Sequence, residues 1–146
     1  MIRVTTSSVI NAPVETLWQA IRDFNALPDW HPAIASSRVE DGGSSDRIGC
    51  VRSMELAGNG GTIREKLLTL SDTEHSVTYA ILAAPMPVEN YIATLRLVPI
   101  TDGNRSFAEW TAEFDVTAEN EAAMRKLIGQ GVFQTGFDSL KKRFGG

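Results

Sequence analysis

The chain has 146 residues, 42% of them apolar, a net charge of −4 and a single cysteine. That length suits one domain with a real core, and no apolar run approaches the ~20 residues of a membrane span. The acidic balance, without a dense basic run, argues against nucleic acid or an anionic membrane as partner. Cys50 alone can form no internal disulfide, which fits a reducing cytoplasm as the expected location.

Residues 2–10 alternate and carry β-branched side chains at Ile2, Val4, Thr5, Thr6, Val9 and Ile10, so they read as a first strand rather than a secretory leader. Asn11-Ala12-Pro13 then changes the period. Pro13 suits the start of a helix, and Val14, Leu17, Trp18 and Ile21 fall on one helical face. In the following Asn25–Pro32 two prolines leave room for a single short turn of helix.

From Ile34 the pattern is strands and turns: 33–40, 48–56, 62–70, 76–83, 91–98 and 107–116, separated by segments rich in Gly, Pro, Asp and Asn. Even spacing of this kind predicts an antiparallel meander. The last element, from about Ala118 to Arg143, is a helix with acidic residues early and basic residues late. Its apolar residues split into two sets. Met124, Leu127 and Ile128 lie on one side, and Phe133, Phe137, Leu140 and Phe144 nearly opposite, with Gly129 and Gly131 between them. A bend or rotation at the glycines accounts for this, and so does a straight helix buried on two sides.

The expected fold is therefore α+β: a curved antiparallel sheet of about seven strands wrapped around a long C-terminal helix, with two short helices after the first strand. Strand alternation turns Ala108, Trp110, Ala112 and Phe114 inward, beside Tyr91, Ala93, Leu95 and Leu97 and then Val77, Tyr79 and Ile81. Such a wall of aromatics and alanines suits either a solid core or a cavity. If the hairpin turns at Gly58-Asn59, Arg52 falls opposite Glu65 on the inner face with Cys50, Met54, Ile63 and Leu67. A slip of one residue turns the pair outward as an ordinary surface ion pair.

Read together, the helix with its NALPDWHP segment, the hairpin ending Arg64-Glu65-Lys66-Leu67, and Tyr91 make the chain resemble the START-like (SRPBCC) superfamily of helix-grip proteins. That superfamily includes pollen-allergen-type lipid binders, bacterial polyketide cyclase/dehydrase-like proteins and plant abscisic acid receptors. The resemblance covers the whole chain as one domain, 1–146, and implies an apolar cavity for a lipid, polyketide or hormone-like ligand. Against the plant receptors, His31 falls where a ligand-contacting lysine stands, and Glu65 and Tyr91 match a polar pocket network. Residues 56–61 and 84–88 fall at the two loops flanking the entrance, without the receptors' own loop motifs. Val132, Phe133, Gly136 and Leu140 would line the pocket, with Gly136 leaving room for ligand.

His31 is the one candidate acid–base, and it reads equally as a half-exposed loop histidine. His75, in a turn beside Glu74, is expected to be solvated. The histidines and Cys50 make no metal site, no cofactor fingerprint is present, and Cys50 reads as packing. The expected ligand contacts are His31, Arg52, Glu65, Tyr79, Tyr91, Trp110, Val132, Phe133 and Gly136. They point first to a binder or carrier of a hydrophobic small molecule, as a monomer or weak homodimer. Second comes a polyketide cyclase, aromatase or dehydratase in which His31, Tyr79 or Glu65 moves protons, and third a co-chaperone-type interaction module.

Overall fold

The computed structural model describes all residues 1–146. Seven strands form one antiparallel sheet: β1 (Ile2–Ile10), β2 (Ile34–Val39), β3 (Val51–Leu56), β4 (Thr62–Ser71), β5 (Ser76–Ala83), β6 (Glu89–Ile100) and β7 (Arg105–Asp115). Their order across the sheet is β1-β7-β6-β5-β4-β3-β2, so every neighbour except β1·β7 is also a neighbour in sequence. Strands 2 to 7 follow one another through loops, the longest of them residues 40–50 between β2 and β3, and β1 reaches the far edge because the chain leaves it for helices before returning as β2.

Alternation sets the two faces. On β7 Ser106, Ala108, Trp110, Ala112 and Phe114 are buried, whereas the residues between them are half-exposed. The same pattern runs through Tyr91, Ala93, Leu95 and Leu97 on β6, and Val77 and Tyr79 on β5. These side chains form the floor of one core of 30 buried apolar residues. Helix α1 (Val14–Ile21) closes one side of it with Val14, Leu17, Trp18 and Ile21.

The segment after α1 is longer than the two prolines suggest. Phe24–Asp29 forms a 3-10 helix with Pro28 inside it, started by the Asp23 carboxylate accepting the Asn25 N–H. The tighter 3-10 spiral is used in short pieces of this kind. Strand β3 begins at Val51 rather than Ile48, because Gly49 adopts φ 93° and bonds its N–H to the Leu67 carbonyl. The hairpin turn lies where expected, with Gly58 at φ 68°, and the register pairs Arg52 with Glu65.

The last helix resolves its own conflict of faces. It runs as α2 (Ala118–Lys126), a π-helical segment Leu127–Gln134, and α3 (Thr135–Phe144). A π turn takes one more residue to close than an α turn, so the segment lags in rotation. In an unbroken α-helix Met124 and Ile128 would lie about half a turn from Phe133, Phe137 and Leu140. Here all five are buried on the sheet. A rotation, not burial on two sides, therefore brings Met124 and Ile128 onto the face of the second set, while Leu127 remains 41% exposed. Gly129 permits it, since a Cβ there would stand 3.3 Å from Val4 Cγ1. Three carbonyls of the segment accept side-chain hydrogen bonds: Gly129 from Thr6 Oγ1, Gln130 from Thr135 Oγ1 and Val132 from His31 Nε2. No helix is long and apolar enough to cross a membrane.

Candidate functional site

The space between the sheet and the last helix is filled at one end and open at the other. At the open end lies a pocket of about 340 Å³, bounded by the inner faces of β3–β6, the π segment and the two loops β3–β4 and β5–β6. Of its 20 lining residues, 15 are hydrophobic, among them Leu27, Met54, Ile63, Ile81 and Ile128. The loops meet at its mouth, where Pro85 packs against Gly61 closely enough that a Cβ would lie 3.3 Å from Pro85 Cγ. Leu56, Ala57 and Gly60 face Pro85, Met86 and Leu127 around the rim.

The polar groups of the wall have separate origins. Arg52 and Glu65 share the inner face of the β3–β4 hairpin, and both are buried. Arg52 donates from Nε and Nη2 to Glu65 Oε1, at 3.0 and 2.6 Å, and from Nη1 to the Phe24 carbonyl. Its guanidinium carbon sits 3.8 Å from the Phe24 ring centroid and 5.1 Å from that of Tyr79. Burial raises the pKa of Glu65 from the ordinary carboxyl value, and the Arg52 charge opposes the rise. The guanidinium, donating twice to one oxygen, favours the carboxylate form against that burial.

Tyr79 on β5 accepts a hydrogen bond from Trp110 Nε1 at 3.0 Å. Tyr91 on β6 stacks on Phe114, with ring centroids 5.5 Å apart. Burial raises the pKa of both phenols, and the Glu65 charge adds to each, so both keep their protons. The Tyr91 hydroxyl and Glu65 Oε2 have no partner within the protein. Yet no sealed side-chain polar atom in the structure lacks a hydrogen bond. Both atoms therefore open onto the pocket they line.

His31 also lines the pocket, but its nitrogens are committed elsewhere. Nδ1 accepts the Ala33 N–H at 3.2 Å, so Nε2 carries the proton and donates it to the Val132 carbonyl at 2.7 Å. The ring is buried, and burial lowers its pKa despite the Val132 bond. His31 is thus a neutral clamp between the β2 entry and the π segment.

Of the remaining sequence candidates, Trp110 and Val132 line the pocket and four others do not, among them Leu140, which is fully buried in the core. Arg52 is screened from it by its bonds to Glu65 and Phe24. Phe133 lies flat on Trp110, with ring centroids 4.6 Å apart, in the filled end. Gly136 leaves no room for ligand: a Cβ there would stand 2.9 Å from Trp110, 3.0 Å from His31 and 3.2 Å from Trp30. The glycine allows the helix to press against these rings. His75 is likewise not a freely solvated turn residue. It packs edge-on to Trp18 at 5.8 Å, and its Nε2 lies 2.9 Å from Glu15 Oε1.

Several lining residues escaped the sequence reading as ligand contacts. Met54 and Ile63 were signalled by sharing the inner hairpin face with Glu65. Leu127 and Gly131 were not, because an α-helical count cannot place residues that lie in a π segment.

A family profile described as polyketide cyclase/dehydrase and lipid transport matches residues 1–145. Solved structures match over nearly the full length. The protein XoxI of Bacillus cereus is 35% identical with a TM-score of 0.87, over 99% of this chain and 96% of that one. A Bacillus thuringiensis protein is 35% identical with a TM-score of 0.86, over 98% of both chains. A Thermobifida fusca protein is 30% identical with a TM-score of 0.89, over 99% of this chain and 94% of that one.

Proposed function

This chain belongs to the polyketide cyclase/dehydrase and lipid transport family, and from that premise we propose that it binds or carries a small apolar molecule non-covalently. The observation that carries this reading is the composition of the pocket wall: a mostly hydrophobic lining with its hydrogen-bonding atoms at Glu65, Tyr79 and Tyr91. Such walls hold a ligand by its apolar body and orient it by a few polar contacts. A volume of about 340 Å³ lies at the lower end of the ~300–1,000 Å³ usual for small-molecule sites, so the enclosed part of the ligand is compact. His31 gives no support to histidine acid–base chemistry while both its nitrogens bond to the backbone.

The test uses a neutral apolar dye such as Nile red. Wild-type protein should bind it with enhanced emission, and Gly131→Phe should abolish the signal while remaining folded. At Gly131 a new Cβ meets only the flexible end of Leu127, at 3.3 Å. Unchanged dye affinity in the folded variant would refute the reading. Native mass spectrometry of the purified protein would identify any ligand that co-purifies.

A second reading, proton transfer during cyclisation or dehydration of a polyketide-like substrate, draws on Glu65. A buried carboxyl with a raised pKa and one oxygen open to the pocket is the kind of group that moves protons. Turnover of a polyketide mimic that falls about 100-fold or more in Glu65→Gln, with dye binding retained, would favour this reading.

A further inference from the structure

The pocket carries only one sign of charge. Glu65 is the one acidic side chain of its wall and is ion-paired to Arg52 behind it, and the wall contains no lysine or arginine. The guanidinium buried behind it is already engaged. All three nitrogens of Arg52 have partners, two on Glu65 Oε1 and one on the Phe24 carbonyl. Arg52 does not line the pocket, so it neutralises Glu65 from behind without meeting a second anion directly. The atoms left for a ligand are the acceptor Glu65 Oε2, the Tyr91 hydroxyl, which can donate or accept, and the O–H of Tyr79, whose oxygen alone is engaged, by Trp110.

We propose that the pocket selects a neutral, hydroxyl-bearing apolar molecule, an alcohol or phenol that donates to Glu65 Oε2, and that it rejects carboxylates, fatty-acid anions included. The proposal rests on the pocket being a ligand site, as argued above, and names the chemistry of that ligand. A hydroxyl is suited to donate to Glu65 and accept from Tyr91 at the same time. A ligand carboxylate would bring a second negative charge into a low-dielectric space beside Glu65, with no free cation to offset it. A cationic amine fares little better, because Arg52 already balances Glu65 and the added charge would be uncompensated.

Three probes of one shape separate these cases: 2-naphthol, 2-methoxynaphthalene and 2-naphthoate, titrated at pH 7 against the full chain and read by probe fluorescence. The naphthol should bind about tenfold or more tighter than its methyl ether, which keeps the shape and loses the donor. Naphthoate should bind at least about tenfold more weakly than the ether. In Glu65→Gln the order should change, with naphthoate gaining about tenfold or more over its wild-type affinity as Arg52 loses its counter-charge. The wild-type series carries the test alone if that variant does not fold.

Naphthol and ether within threefold of each other, or naphthoate the tightest, would overturn the proposal while leaving the pocket a binding site. Nile red binding without any naphthalene binding would do the same. Failure of Nile red and all three naphthalenes would overturn both this proposal and the binding reading on which it rests.

Discussion

The two ends of the space beneath the sheet are built from the same strands and the same helix, yet one is solid and the other open. At the solid end Trp110 is stacked on Phe133 and flanked by Trp30 and Phe137, each with centroids 5.9 Å from its own. Gly136 lets α3 close onto these rings. At the open end the π segment passes over Met54, Ile63 and Ile81 and leaves a pocket. Hydrophobicity does not separate the two ends, since both are lined mainly by apolar residues. Hydrogen bonding does. Where the solid end meets the pocket, Trp110 Nε1, both His31 nitrogens and all three Arg52 nitrogens have protein partners. Across the pocket Glu65 Oε2 and the Tyr91 hydroxyl have none. The end we propose as the ligand site is the one where internal pairing stops.

Breaking the pair that divides the two ends should cost most. Glu65→Ala leaves the Arg52 guanidinium buried without its counter-ion, for an expected loss of about 3–5 kcal/mol in chemical denaturation. Replacing both partners with apolar residues of similar size should recover most of that loss. A cost near zero for the single variant would mean that the pair contributes nothing to separating core from pocket. The exposed pair Arg64–Glu40 serves as the contrast, since both partners reach solvent.

Next in size, the two glycines of the last helix should behave in opposite ways. Gly136→Ala places a methyl within 3.0 Å of Trp110 and should destabilise by about 1–3 kcal/mol through overpacking, with dye binding unaffected. Gly131→Phe should do the reverse, sparing the melting temperature and blocking the dye. Equal effects from both substitutions would erase the distinction between the ends.

The smallest effect is a pH dependence confined to the clamp. Burial lowers the His31 pKa in the folded protein below its unfolded value of 6.5. Between those two values the unfolded chain binds a proton that the folded protein does not, so stability falls as pH drops below about 6.5. The slope from this one group is at most about 1.4 kcal/mol per pH unit. A His31→Gln variant should lose that slope between pH 6.5 and 5 in urea titrations at fixed temperature. Identical slopes in the two proteins would show that His31 titrates normally and is not locked as the neutral tautomer.

Much of this arrangement was legible in the sequence because strands report their faces with a period of two. The inward set on β5, β6 and β7 and the Arg52–Glu65 register followed from alternation plus the placement of one turn. What was hidden depended on distances that no period encodes. Whether Gly136 makes space or allows close approach depends on how near Trp110 and Trp30 come, and those rings arrive from β7 and from the segment after α1. The same holds for His31, whose chemistry is set by two backbone groups, one of them 101 residues away. Arg52 pointed inward as its alternation required, but the Phe24 carbonyl that helps to screen it from the pocket lies in a different element.

The π segment makes the last helix sensitive to the number of its residues as well as to their identities. Many side chains between Leu127 and Gln134 could change while the geometry survives. Removing any one residue there would let an ordinary α turn close. Phe133, Phe137 and Leu140 would then keep their face on the sheet, because the π segment holds about one residue more than an α-helix of the same rotation; winding the full-length segment as α instead would swing them by about 100°. For this stretch of chain, a single-codon deletion is therefore a milder lesion than a further insertion, which would need a second widened turn to keep Phe137 and Leu140 on the sheet.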